Sequence, residues 1–177
     1  MIDTVSELKA SIRDIPDFPK KGIIFKDITT LLQDGDAFRL AMNRMLKKHL
    51  AADAKIDKVV GVEARGFVLG GVMAYKLGCG FVPARKPGKL PYRSVREEYT
   101  LEYGTNALEV HEDAISPGDK VLVVDDLLAT GGTALAAAKL VEKLGGSVCG
   151  IEFLVELAFL RGRDKLGGYV IHSLITY

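Results

Sequence analysis

The chain has 177 residues, with 24 Lys and Arg against 23 Asp and Glu, a formal net charge of +1. That length suits one domain, which would bury about 70% of its extended-chain surface without disulfide or metal staples. The charge balance argues against bulk nucleic-acid or membrane binding and leaves room only for a local patch.

Cys79 and Cys149 form no CxxC pair, so free buried thiols in a reducing compartment are expected rather than a metal site. Residues 1–7 have no positive n-region, and the apolar run from Phe67 to Tyr75 is too short to span a bilayer. A cytoplasmic protein with no signal peptide is the expectation.

In chain order, residues 4–13 predict a short helix with Leu8 and Ile12 on one face, ended by Pro16. The stretch 16–28 carries two prolines and a glycine among Phe18, Ile23, Ile24, Phe25 and Ile28. It reads as irregular, and two roles fit it: a strap over the core, or a lid whose aromatics cover a flat ligand. From Asp34 to Ala52, Phe38, Met42, Met45, Leu46 and Leu50 recur at helical spacing, with the methionines as core and His49 as a favourable last-turn residue.

Lys58–Val62 predicts a buried strand, followed by Glu63-Ala64-Arg65-Gly66-Phe67 and a helix to Leu77. Arg65 at that strand end reads either as a surface ion pair or as a bidentate contact to a diphosphate. A third strand, Gly80–Ala84, leads into a one-sided basic segment holding Arg85, Lys86, Lys89, Arg93 and Arg96. It fits a solvated face or a diphosphate-handling patch. Residues 97–103 and 106–110 predict a hairpin, and 116–119 a turn.

Lys120 to Thr133 reads KVLVVDDLLATGGT. The β-branched run Val121–Val124 predicts a strand buried on both faces of a parallel sheet. Asp125 and Asp126 follow, then the small-residue loop Ala129, Thr130, Gly131, Gly132 and Thr133, then a helix to about Leu144. Ligands of open α/β sheets sit at the carboxyl ends of strands. A loop entering a helix presents unpaired N–H groups and the positive dipole end to a phosphate, while paired carboxylates accept from vicinal hydroxyls. The layout therefore suits a phosphorylated sugar. An apolar strand at 147–155, a helical turn at 160–166 and a last strand at 169–175 complete a parallel-sheet α/β domain. GxGxxG, Walker A and GxSxG patterns are absent, which disfavours dinucleotide, P-loop and α/β-hydrolase chemistry.

The string at 120–133 resembles the phosphoribosyl-diphosphate (PRPP) motif of the type I phosphoribosyltransferases. Pro-Asp-Phe-Pro at 16–19, Gly-Ile-Ile-Phe-Lys-Asp-Ile at 22–28, Glu-Ala-Arg-Gly-Phe at 63–67, Arg-Lys-Pro-Gly-Lys-Leu-Pro at 85–91, Leu-Glu-Tyr-Gly at 101–104 and Leu-Val-Glu-Leu at 154–157 are similar to the adenine phosphoribosyltransferases within that family. The resemblance runs nearly end to end, and departs at the Ser-Val-Arg-Glu-Glu run, 94–98.

The resemblance implies one phosphoribosyltransferase domain over 1–177: a mainly parallel sheet with flanking helices, an N-terminal hood over about 1–33 and a flexible β-hairpin loop on a core over about 34–177. The implied reaction is adenine plus PRPP giving AMP and diphosphate, in purine salvage, with Mg²⁺ carried mainly by the diphosphate and no protein metal ligands. Asp125 and Asp126 would take the ribose hydroxyls, and Ala129, Thr130, Gly131, Gly132 and Thr133 the 5-phosphate. Arg65, Arg85, Lys86, Lys89 and Tyr103 would take the diphosphate.

Glu102, with Arg65, would be catalytic; whether Glu102 transfers a proton or orders the loop with Tyr103 stays open. Adenine would be read by the backbone of Ile24, Phe25 and Lys26, with Phe25 stacking on the purine and Leu157 closing the other face. The family implies a homodimer and no nucleic-acid or membrane partner. Two alternatives are a PRPP-sensing regulator on the same fold, which this chain has no room to extend with a DNA-binding module, and a transferase for another base.

Overall fold

The computed structural model describes residues 3–51, 55–101 and 104–177. The chain divides into two compact units, Met1–Lys47 and Lys48–Tyr177.

In the first unit α1 (Val5–Ala10) opens with a capping box: Glu7 N donates to Thr4 Oγ1 at 3.2 Å and Thr4 N donates to Glu7 Oε2 at 2.8 Å. The helix stops sooner than its periodicity suggests, because Arg13–Pro16 (β1) leaves to pair antiparallel with Ile24–Asp27 (β2). The stretch expected to be irregular thus contains half of a two-stranded ribbon. Cross-strand ion pairs hold it, Arg13 to Asp27 at 2.6 Å and Lys26 to Asp14 at 2.7 Å. Asp27 also accepts from Thr29 N and Oγ1, which starts the short α2 (Thr29–Gln33). In α3 (Gly35–Ala51), Met42, Met45 and Leu46 are buried as the spacing predicts, with Ala37 and Ala41 beside them. Leu50, on the same predicted stripe, is exposed.

The second unit is built on a five-stranded sheet in the order β4-β3-β7-β8-β9, every neighbouring pair parallel. The strands are β3 (Lys58–Val62), β4 (Gly80–Ala84), β7 (Lys120–Leu128), β8 (Ser147–Glu156) and β9 (Ile171–Thr176). Helices α4 (Arg65–Leu77) and α5 (Gly132–Lys143) make the crossovers after β3 and β7. A separate antiparallel hairpin, β5 (Ser94–Leu101) with β6 (Gly104–His111), follows β4. Glu97 fastens it to α5 through ion pairs with Lys139, at 3.5 Å, and Lys143.

β7 is buried from Val121 to Asp126, the burial on both faces that its continuous apolar run requires of a central parallel strand. Between Val121 and Leu122 the register with β8 shifts, so Cys149 is the extra residue of a bulge. Cys149 is exposed and Cys79, before β4, is half-buried; both are free thiols, and neither lies in the core, contrary to the expectation of buried thiols. His49 is more than a helix-end residue. Its Nε2 lies 2.9 Å from Glu152 Oε1, and Lys48 pairs with the same oxygen, so a carboxylate buried within β8 is compensated from two directions.

Candidate active site

Because β4, β3 and β7 are adjacent and parallel, their carboxyl ends bring three loops together: residues 85–89 after β4, 63–65 after β3 and 129–131 after β7. β7 continues further than its apolar run suggests, since Leu127 and Leu128 still pair with Val155 and Glu156 of β8. Asp125 and Asp126 therefore lie within the strand, buried, instead of beyond its end.

Asp125 Oδ1 accepts from Asp126 N at 2.9 Å. Burial, and next the charge on Asp126, push the Asp125 carboxyl well above the usual carboxylate range. Burial also raises Asp126, against the pull of the Arg65 guanidinium. Arg65 Nε sits 2.7 Å from Asp126 Oδ2, an ion pair between the loop after β3 and β7. The first turn of α4 lies close on this acidic pair: a Cβ at Gly66 would come within 3.0 Å of Asp125 Oδ1 and of the Val124 carbonyl oxygen.

The loop after β7 lines a hollow of about 120 Å³ with Ala129, Thr130, Gly131, Gly132 and Thr133; Asp125 and Phe153 complete its wall. Gly131 is the N-cap of α5 at φ +80°, a conformation suited to glycine, and no side chain caps the helix there. The first N–H groups of a 12-residue helix therefore face the hollow without a side-chain partner, the arrangement an anion fills. A larger hollow, about 240 Å³, lies between β5 and α5 and carries both signs of charge in Glu97, Glu98, Lys139 and Lys165. It meets the loop only at Gly132, and the smaller hollow holds the strand end, the acidic residue and the helix N-terminus together.

Glu63, a residue without a role in the sequence reading, ties two of the loops together. It accepts from Arg85 Nε and Nη2, each at 3.3 Å, and from Lys86 N at 3.0 Å. Burial works against its charge, but those donors win and hold it below the usual carboxylate range. Arg85 also donates to the Lys89 carbonyl at 3.0 Å, so its guanidinium is held in place by two partners. Lys86 and Lys89 are exposed.

Leu157 follows β8, half-buried, and its N donates to the Leu128 carbonyl at 2.9 Å. Ile24, Phe25 and Lys26 all lie in β2 of the first unit. Phe25 packs edge-on against Phe18 with ring centres 5.2 Å apart, and Lys26 is engaged by Asp14. Glu102 and Tyr103 lie outside the described residues. The structure thus pairs Arg65 with Asp126, ties Asp126 to Asp125, lines one hollow with Asp125 and the 129–133 loop, and places Arg85, Lys86 and Lys89 on the neighbouring loop.

Residues 29–165 match the model of the phosphoribosyl transferase domain. The adenine phosphoribosyltransferase of Thermotoga neapolitana is 64% identical over 171 residues, which are 97% of this chain and 99% of that one. The chain belongs to the adenine phosphoribosyltransferase family. Solved members share its fold closely. The crystal structure of the enzyme from Thermoanaerobacter pseudethanolicus superposes with a TM-score of 0.93 at 58% identity, covering 98% of this chain and 100% of that one. The Saccharomyces cerevisiae family member, solved in complex with an imino-altritol bisphosphate and adenine, gives a TM-score of 0.90 at 40% identity, covering 96% and 97% of the two chains. In this family the α/β sheet is the expected parallel one, and the regulator alternative loses its footing because the whole length matches enzymes.

Proposed function

We infer that the chain is an adenine phosphoribosyltransferase, a pentosyltransferase of purine salvage that converts adenine and PRPP to AMP and diphosphate. The observation that carries this reading is the end-to-end match to adenine phosphoribosyltransferases, joined to a buried Asp125–Asp126 pair whose Asp125 lines the 129–133 hollow. The loop N–H groups and Thr130 and Thr133 take the 5-phosphate. The two carboxylates accept from the ribose hydroxyls, and Arg65, Arg85, Lys86 and Lys89 balance charge on the departing diphosphate. The bond from C1 to the diphosphate oxygen breaks with positive charge growing on the ribose, which the buried carboxylates favour, while adenine N9 forms the new bond. Glu102 serves the purine proton, and Tyr103 completes the diphosphate contacts.

Mg²⁺ fits this donor set as a substrate-borne ion. Among the described residues no three His, Cys, Asp or Glu side chains converge as a cage. An ion that retains water and takes phosphate oxygens would be carried mainly by the diphosphate, leaving Asp125 and Asp126 to the ribose hydroxyls. When bound, it would neutralise charge on the diphosphate.

The chain acts as a homodimer in the cytoplasm. In support, α4 exposes Val68 and, two turns on, Tyr75, which is 82% exposed, an apolar face suited to a second copy. Among the described residues no helix is long and apolar enough to cross a membrane. The deciding experiment is an assay of purified protein with PRPP, Mg²⁺ and adenine, hypoxanthine or guanine in turn. AMP formation dependent on Mg²⁺, with adenine strongly preferred, is expected; no turnover of adenine would overturn the reading. Sedimentation of the same sample tests the dimer.

A further inference from the structure

Gly162 and Arg163 lie about 30 residues beyond the loop at 129–133, outside every motif read from the sequence. A Cβ added at Gly131 would fall on the carbonyl oxygen of Gly162, well inside 3.0 Å. A Cβ added at Gly162 would fall on the carbonyl oxygen of Ala129, also well inside 3.0 Å, and 2.8 Å from Leu128 Cδ1. The two backbones therefore touch directly, and neither side has room for one methyl group. Arg161, just before, adopts the left-handed region at φ +53°, which turns the chain into this contact.

The next residue fixes the contact to the sheet. Arg163 donates to both oxygens of buried Glu156, from Nε at 2.8 Å and Nη2 at 2.7 Å, and from Nη1 to the Ile171 carbonyl at 3.2 Å. Glu156 in turn pairs across the sheet with Leu128, the residue before the loop. The path closes on itself: Leu128, Glu156, Arg163, Gly162, and back to Ala129 and Gly131.

We propose that Gly162 and Arg163 are positioning residues that brace the 129–133 loop from behind, holding its N–H groups at the spacing a phosphate ester requires. This rests on the reading of that loop as the 5-phosphate site. A loop that takes its anion in a preset shape spends no binding energy on ordering itself. Misplacement by about 1 Å away from the reacting atoms costs up to about 10²-fold in rate.

The test is Gly162→Ala, with ribose 5-phosphate affinity measured by calorimetry and kcat/KM for PRPP measured beside it. Affinity should fall about tenfold or more and kcat/KM by up to about 10²-fold, while the ratio of adenine to hypoxanthine use stays fixed. A folded variant with unchanged ribose 5-phosphate affinity overturns the proposal. Arg163→Lys, which keeps the charge and loses the fork, should show the same split in milder form.

Should both variants fail to fold, the wild-type protein answers by amide NMR. On titration with ribose 5-phosphate, the Gly162 and Arg163 signals should shift together with those of Gly131 to Thr133. Shifts confined to the loop overturn the brace. The underlying reading fails differently: Thr133→Ala would then leave ribose 5-phosphate affinity unchanged, and no loop signal would move.

Discussion

Arg65 Nε lies 2.7 Å from Asp126 Oδ2, so the proposed ligand of the diphosphate and a proposed acceptor of the ribose hydroxyls are one ion pair. The pair joins the loop after β3 to β7, and Asp126 is buried while the Arg65 side chain is 35% exposed. One partner is thus fixed and the other reaches toward solvent, where the diphosphate would enter. Residues in direct contact couple by about 0.5–3 kcal/mol. Arg65→Met and Asp126→Asn should therefore be non-additive in kcat/KM for PRPP, the double variant being about threefold or more better than the product of the single losses. A double-mutant cycle that closes additively would show the two groups working independently.

Asp125 has a carboxyl raised well above its usual range, chiefly by burial. A raised folded-state pKa means the protonated form is favoured by folding. That contribution is whole below the unfolded value of about 3.9 and is lost as pH rises through the folded value. Above the unfolded value the burial of Asp125 therefore opposes stability, because the folded protein resists ionising it. Asp125→Asn keeps an oxygen for the Asp126 N–H and removes the charge. The ligand-free variant should melt above wild type at pH 7, with the gap narrowing toward pH 4, while PRPP affinity falls. A lower melting temperature at pH 7 would count against a destabilising charge. In the wild type, the KM for PRPP should rise on acidification at a pH above the ordinary carboxylate range.

These carboxylates were legible in the sequence because a β-branched run, an acidic pair and a Gly/Thr loop occur in strict order, and parallel strands place such loops at one edge. Their burial was not, since it depends on β8 pairing as far as Glu156, a partner about 30 residues away. The β1–β2 ribbon was hidden by Pro16, Pro19 and Gly22, which punctuate the local pattern, while the Arg13–Asp27 and Lys26–Asp14 pairs that hold it are non-local. Glu63 stood inside a recognisable motif, yet its tie to Arg85 depends on β3 and β4 being neighbours. Gly162 gave no signal: composition does not say which glycine will meet which backbone.

Glu102 follows β5 in sequence, and Glu97 of β5 is fixed by Lys139 and Lys143 to α5, the helix that begins at the proposed phosphate loop. Glu102→Ala should lower kcat by about 10²–10⁴-fold if the carboxyl moves a proton, with AMP affinity little changed. A loss below about threefold, with chemistry shown to be the slow step by single-turnover kinetics, would leave Glu102 without a part in the reaction.

Adenine recognition is expected from main chain. The exocyclic amine of adenine donates and its neighbouring ring nitrogen accepts, which an extended backbone matches with a carbonyl and an N–H. Ile24, Phe25 and Lys26 supply such a backbone in β2, and in a two-stranded ribbon β2 has one edge that β1 does not cover. The side chains leave this role to the backbone: the Lys26 ammonium is engaged by Asp14 at 2.7 Å, and the Phe25 ring packs edge-on with Phe18. Hypoxanthine and guanine carry an oxygen where adenine carries the amine, so carbonyl would face carbonyl and N–H would face N–H. Two mismatched buried hydrogen bonds cost about 1–3 kcal/mol each, which corresponds to a preference of about 10²–10⁴-fold for adenine. Lys26→Ala should leave that preference nearly intact, because it removes an ion pair with an exposed partner and no base contact. Phe25→Ala should raise the KM for adenine about tenfold, about 1.4 kcal/mol of lost stacking, without changing the order of the three bases. Measuring kcat/KM for adenine, hypoxanthine and guanine at saturating PRPP in wild type and both variants checks all three statements. A base preference that collapses in Lys26→Ala would mean that the side chain, and not the strand, reads the purine.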